Sequence, residues 1–415
     1  MTSTEQTPRD RPRVAVIGGS MAGLLAALLF HQAGWDAQVY ERSGSELAGR
    51  GAGIVTHAAL FDVLKRCGVD AREALVGVCV PGRRVFARDG SVIAELPLEQ
   101  VLTSWGHLYH LLRATLPARC YHFGYNLLRV EELADAAVAH FSNGATERAD
   151  LIIGADGILS SVRAQLAPDC MPRYAGYIAW RGLVEEASLS AATRDELCDY
   201  FAFSLPPGEQ MLGYPVAGPI GAMARGARRF NFVWYRPADA GEVLDDLLTD
   251  VDGITHERSI PPHRIRPAVI DAMRASAQAL LSPQFAEVVR ETRQPFIQPI
   301  YDLEAPRMGF GRIALIGDAA FVARPHVGMG VTKAAGDAGA LIDAIEAHPS
   351  DLPAALLEFD TRRRHFGSVV IQSARDLGTY MQGQNLTAQE QIIADRHRSV
   401  EAVMTQTAVT AGIAV

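Results

Sequence analysis

Apolar positions along the chain fall into short unbroken runs more often than into alternating or heptad patterns. Arg13-Val-Ala-Val-Ile17 reads as a short buried strand, and Leu24 to Gln32 continues in helix-forming residues. Gly34 is placed to end that helix. Asp36-Ala-Gln-Val-Tyr40 predicts a second strand, closed by Glu41. Leu151 to Gly154 and Arg312 to Gly317 repeat the pattern of a buried strand running into a turn. A helix is predicted from about Val331 to Ala347, and another over Glu358 to Gln382 with a basic start at Arg362, Arg363 and Arg364. Tyr174 to Val184 and Phe230 to Tyr235 carry the β-branched and aromatic residues of a sheet.

The turns between these elements hold the chemistry. Gly18-Gly-Ser-Met-Ala-Gly23 joins the first strand to the first helix. Gly18 permits the sharp turn, Gly23 lets the helix pack close, and the free N–H groups at the helix start suit a pyrophosphate. Ser20 stands where the pattern has its middle glycine; its hydroxyl is within reach of a phosphate. Glu41 follows at the spacing of a carboxylate that binds a ribose hydroxyl. This is a βαβ dinucleotide unit, although a glycine-bearing turn without a ligand uses the same residues. In the second turn, Asp156 and Gly157 sit at the bend, with Ser160 or Ser161 as the helix cap. In the third, Gly317-Asp318 is followed by Pro325, Gly328, Met329 and Gly330. Asp318 at the end of a buried strand is placed to meet a sugar-alcohol chain, and the positive end of the next helix suits a flavin ring that becomes anionic on reduction. Asp after a strand is also ordinary turn chemistry. The three turns in this order are what point to FAD.

Those segments resemble the three fingerprints of the single-component FAD-dependent aromatic hydroxylases, the family of para-hydroxybenzoate hydroxylase. The resemblance runs from about Arg13 to Ala347. A narrower likeness, carried by Tyr174-Ala-Gly-Tyr-Ile-Ala-Trp-Arg-Gly182, Gly213-Tyr-Pro-Val216, Asn231-Phe-Val-Trp-Tyr235 and Arg324-Pro-His-Val-Gly328, is to the 2,6-dihydroxypyridine 3-monooxygenase branch. The fold this implies is α/β: a Rossmann-like FAD-binding domain interleaved with a β-sheet substrate domain, then C-terminal helices. The expected division is 11–75, 100–172 and 295–350 for FAD, 76–99 and 173–294 for substrate, and 351–415 for the helical region.

The resemblance also implies site residues. Gly18, Ser20, Met21, Ala22 and Gly23 form the first turn; Glu41 and Arg42 meet the adenosine ribose and nearby phosphate; Arg50 and Gly51 approach the ribityl or pyrophosphate region. Leu128 offers its backbone to the adenine, Asp156 organises its turn, Asp318 holds the ribityl chain, and Gly328, Met329 and Gly330 line the isoalloxazine. Leu112 and Leu116 match the leucines of the family's RxxLxxxL helix, but Tyr109 stands in the arginine's place. The chemistry the resemblance implies is that NADH or NADPH reduces the flavin, O2 adds to give a C4a-hydroperoxide, and its distal oxygen attacks an electron-rich ring. No second dinucleotide unit is present, so the reductant is expected as a transient visitor. His57, Tyr214 and His326 are the candidate catalytic residues, since each lies near a segment that approaches the flavin or the substrate sheet. Trp180, Trp234 and Tyr235 are either pocket wall or core.

Composition narrows the alternatives. Across 415 residues the formal net charge is -8, which disfavours a nucleic-acid partner. Five widely spaced cysteines form no CxxC pair, so neither zinc nor a disulfide framework is expected and no metal is assigned. The polar start carries no apolar leader, and no run reaches the roughly 20 apolar residues of a membrane span. The expectation is a soluble cytoplasmic enzyme acting on a small aromatic substrate, with a homodimer left open. A flavin-dependent halogenase would carry Trp-x-Trp-x-Ile, which is absent. A FAD-fold reductase or a non-catalytic binding protein on this fold are the rival readings.

Overall fold

The computed structural model describes residues 11–47, 53–382 and 386–410. Two sheets carry the chain. The first has six strands, in edge-to-edge order Gly309–Phe310, Ile313–Leu315, Leu151–Gly154, Arg13–Ile17, Asp36–Glu41 and Tyr121–Phe123. All neighbours are parallel except the first pair. Parallel strands need both faces covered, which explains why their sequences read as continuous apolar runs. The helix Met21–Gln32 covers one face; it is buried from Met21 through Phe30, so it shows no polar stripe. It packs against the helix Gly330–Ala347.

The second sheet has nine strands, in the order Phe321–Val322, Phe296–Glu304, Arg173–Glu185, Arg229–Pro237, Gln210–Val216, Phe201–Ser204, Val78–Phe86, Val92–Ser104 and Gly53–Val55. Pairing is antiparallel apart from Phe201–Ser204 against Val78–Phe86. The strands Gly53–Val55 and Phe296–Glu304 belong to this sheet, although the residue ranges expected for the nucleotide domain include them. The chain therefore crosses between the sheets more often than its turn signals suggest. A three-stranded antiparallel sheet over Leu127–Glu132, Ala137–Phe141 and Thr146–Ala149 pairs with neither but packs its apolar side chains into the core of the first.

The helix after the third turn starts at Gly330, one residue before the expected Val331. The long C-terminal helix runs Leu352–Gly378, earlier at both ends than expected: Asp351 caps its start by accepting the Ala354 N–H, and the chain tightens into a 3-10 turn over Thr379–Met381 at its end. The shorter helices Ala388–His397 and Val400–Gln406 follow. All five cysteines are thiols, and only Cys79 is exposed. Among the described residues no helix is long and apolar enough to cross a membrane.

Candidate active site

The three glycine-bearing turns open on the same edge of the first sheet. Gly18 follows Arg13–Ile17, Asp156 follows Leu151–Gly154 and Asp318 follows Ile313–Leu315, while Glu41 ends the strand beyond. Because these strands are neighbours, Glu41, Gly18, Asp156 and Asp318 stand in that order along the carboxyl ends of a parallel sheet. Ligands of open α/β sheets bind there. Three interstrand steps span about 14 Å, enough for a long ligand lying across the strand ends.

At one end is a cleft of about 220 Å³ lined by Gly18, Gly19, Ser20, Glu41, Arg42 and Asp156, among others. The turn is compressed. Gly18 has φ +102°, and a Cβ there would meet the Ala155 carbonyl at 2.5 Å; one at Gly23 would come within 1.9 Å of the Gly18 carbonyl. Ser20 is different. Its φ of −86° suits any L-residue, and its side chain makes no capping bond to the helix. That is why serine is tolerated in the glycine place and why its hydroxyl is left toward the cleft. Glu41 is buried, and its two oxygens accept the Gly19 and Ser43 N–H groups at 2.8 Å each. Each oxygen keeps a further acceptor site. The Asp156 carboxylate accepts from the Ser160 hydroxyl and the Ser161 N–H, and Ser160 is the residue that caps the helix.

Two of the expected cofactor residues do not line this cleft. Tyr109 is fully buried and donates to Glu46 at 2.5 Å; the cleft wall from its helix is Trp105. Leu128 is 61% exposed, and the lining residues there are Tyr125, Asn126 and Leu127. Arg50 and Gly51 lie outside the described residues. Met21, Ala22 and Met329 are buried, so any approach they make to a ligand is through backbone. Gly19 was not singled out from the sequence, yet a Cβ there would fall 2.1 Å from the Tyr121 hydroxyl, which donates to the Gly19 carbonyl.

At the other end, between the two sheets, lies a second cavity of about 220 Å³. Asp318, Gly328 and Gly330 form its near side, and Tyr214, Tyr235 and Arg181 its far side. Gly328 has φ +63°, which closes the turn through its N–H to the Pro325 carbonyl at 2.8 Å. Asp318 is half-exposed and lies 3.4 Å from the buried ammonium of Lys333, which also donates to the Phe321 carbonyl. Burial pushes the Tyr214 phenol up to about 12 and Tyr235 higher still, so both are neutral donors at pH 7. Arg181 donates to Gln298 at 2.6 Å. Two neutral phenols and a guanidinium favour a ring that carries an anionic oxygen. Arg181 and Lys333 escaped sequence reading: one lies in a strand of β-formers, the other inside a helix.

Of the three candidate catalytic residues, only Tyr214 lines this cavity. His326 is 1% exposed, with Nε2 2.8 Å from the Tyr177 hydroxyl and its ring 4.3 Å from that of Tyr235. Burial, with Arg324 second, lowers its pKa to about 3. It backs Tyr235 and does not line this cavity, because the turn Pro325–Val327 directs it toward Tyr177 and Tyr235 of the second sheet. His57 precedes the helix Ala58–Arg66, with Nδ1 3.1 Å from the Thr332 hydroxyl, and borders a separate space of about 380 Å³. Burial lowers its pKa to about 4. Among the described residues no group of three His, Cys, Asp or Glu side chains is placed to hold a metal.

Comparison with known proteins gives the family and the fold. A family model described as FAD binding domain-like matches residues 174–302. The chain is 32% identical over 378 residues to 2,6-dihydroxypyridine 3-monooxygenase of Paenarthrobacter nicotinovorans, covering 89% of this chain and 91% of that protein. The solved structure of 2,6-dihydroxypyridine-3-hydroxylase from Arthrobacter nicotinovorans superposes with a TM-score of 0.83 at 31% identity, over 91% of this chain and 95% of that one. The fold is also that of Klebsiella pneumoniae HpxO, solved with FAD and uric acid, at a TM-score of 0.72 and 23% identity over 92% and 93% of the two chains.

Proposed function

The chain belongs to the FAD-dependent monooxygenases of aromatic and hydroxypyridine-type rings, and from that premise we propose that it hydroxylates a single electron-rich ring at the expense of NADH or NADPH. The balance is ring–H + O2 + NAD(P)H + H⁺ → ring–OH + NAD(P)⁺ + H2O. Bound FAD supplies the redox chemistry, taking electrons from the reductant and passing one atom of O2 to the ring.

The protein's part is to hold and to protonate or deprotonate. Ser20, Arg42 and the helix start would hold the phosphates, Glu41 the ribose, and Asp318 the ribityl chain. The Gly328–Gly330 turn would carry the ring system to the second cavity. Tyr214 and Tyr235 would donate to the substrate's ring oxygen, and the Arg181 charge would favour its deprotonated, more nucleophilic form. His326 would act through Tyr235 and Tyr177 without touching the ring. The nine-stranded sheet would serve as the substrate domain and the six-stranded sheet as the FAD domain.

The observation that carries this reading is the order Glu41, Gly18, Asp156, Asp318 along one sheet edge, ending at a cavity with two phenols and a guanidinium. The test is NAD(P)H oxidation by the FAD-loaded protein against a panel of hydroxypyridines and hydroxybenzoates, beginning with 2,6-dihydroxypyridine. Stimulation by at least one ring supports the reading; none by any ring contradicts it.

A further inference from the structure

Arg83 is 1% exposed, yet none of its hydrogen-bond partners among the described residues is a carboxylate. Its guanidinium donates to the Met404 and Thr407 carbonyls at 2.7 Å each, to the Ala408 carbonyl at 3.4 Å and to Gln100 Oε1 at 2.6 Å. Gln100 in turn donates to the Ala408 carbonyl at 3.1 Å. The rings of Phe201 and Phe203 lie beside the guanidinium. A buried cation without a counter-ion is costly. Here its return is a set of carbonyls at the end of the helix Val400–Gln406, which would otherwise be buried or wet.

The segment so held reaches the ring cavity. Thr407 and Ala408 line it, and Ala408 also borders the separate space beside His57. Ala408 adopts φ +53°, a strained value for alanine, and its N–H donates to the His326 carbonyl at 2.7 Å. A Cβ added at Gly328 would fall 2.6 Å from the Ala408 side chain, so the segment packs directly on the turn that borders the cavity.

We propose that Thr407 and Ala408, at the end of the held segment Met404–Ala408, are a wall of the ring cavity and that Arg83, on the strand Val78–Phe86 and not among the cavity's lining residues, is the positioning residue that sets them in place. This rests on the ring-hydroxylating function proposed above. The wall restricts which ring fits, and it keeps out water. With the wall loose, reductant would be spent as NAD(P)H + O2 + H⁺ → NAD(P)⁺ + H2O2 in place of ring oxidation.

The test uses the FAD-loaded protein in two independent arms. In the first, without any ring, amide hydrogen exchange over Met404–Ala408 should be at least tenfold faster in Arg83→Gln, with Arg83→Lys intermediate. Unchanged exchange overturns the clamp, whatever the substrate. In the second, with 2,6-dihydroxypyridine, Arg83→Gln should raise KM and the peroxide fraction several-fold more than it lowers kcat. Faster exchange with KM and peroxide fraction unchanged overturns the wall. Thr407→Val keeps the clamp and decides the same point if Arg83→Gln does not fold: the KM ratio between 2,6-dihydroxypyridine and a hydroxybenzoate should shift about threefold or more, and an unchanged ratio contradicts the proposal. A wild-type protein stimulated by no ring would count against the proposed function, while the exchange arm would still decide the clamp.

Discussion

The Arg163 guanidinium donates to the carbonyl of Ala319 at 2.9 Å, across 156 residues of chain. It also donates to the Ile158 and Cys170 carbonyls at 2.5 and 3.2 Å. One buried side chain therefore ties the turn bearing Asp156 to the turn bearing Asp318. Arg163→Leu should leave these carbonyls unsatisfied and cost about 2–4 kcal/mol. The check is chemical denaturation of the FAD-loaded protein; a loss below about 0.5 kcal/mol would remove Arg163 as the tie.

Asp318 is half-exposed, and Lys333 beside it keeps a second partner in the Phe321 carbonyl. Asp318→Ala should therefore change the stability of the FAD-free protein little while reducing FAD content about tenfold. Flavin absorbance per mole of purified protein measures it. A normal flavin spectrum would sink the assignment of Asp318 to the ribityl chain.

Arg181→Gln and Tyr214→Phe should act on the ring and leave FAD bound. A hydrogen bond from a charged donor is worth about 1.5–3 kcal/mol, so Arg181→Gln should weaken ring binding on the order of tenfold to a hundredfold. Tyr214→Phe should cost less, about tenfold. Ring binding is read from the flavin spectrum. Equal affinity in both variants would mean that the ring sits elsewhere.

His326 has a folded pKa near 3, against about 6.5 for an unperturbed imidazole. Between those values the unfolded chain binds the proton and the folded one does not. Its contribution to stability is therefore complete above pH 6.5 and is lost as pH falls toward 3. His57, lowered to about 4, adds a loss of the same sign over pH 6.5 to 4. His326→Gln should show a visibly shallower decline of unfolding free energy between pH 6.5 and 4 than wild type. Parallel curves would mean that His326 is not buried as a neutral ring. The same variant should keep FAD but slow hydroxylation, because Tyr235 loses its support.

Much of this site was legible because each fingerprint is local. Strand, tight turn and helix start are consecutive residues, and Gly18, Gly23, Asp156 and Asp318 fall where that local logic puts them. What escaped depends on distant packing. Gly19 is confined by Tyr121, which lies on another strand. Arg181 turns toward the cavity because of which neighbours cover its sheet. His326 sits beside the cavity in sequence, but the direction of a side chain in a short turn is not readable from its neighbours, and it points into the sheet. The C-terminal segment carries no motif at all; only the buried Arg83 reveals its place.

Under the proposed function, one oxygen atom of O2 enters a ring held between Tyr214, Arg181 and the Gly328–Gly330 turn. The most direct measurement supplies ¹⁸O2, NADH or NADPH and 2,6-dihydroxypyridine, or whichever panel ring stimulates oxidation most, to the FAD-loaded protein and weighs the product. One labelled oxygen per product molecule is expected, with the yield cut sharply by Tyr214→Phe and Arg181→Gln. Reductant consumed with only peroxide formed, or a product whose new oxygen comes from water, would contradict it.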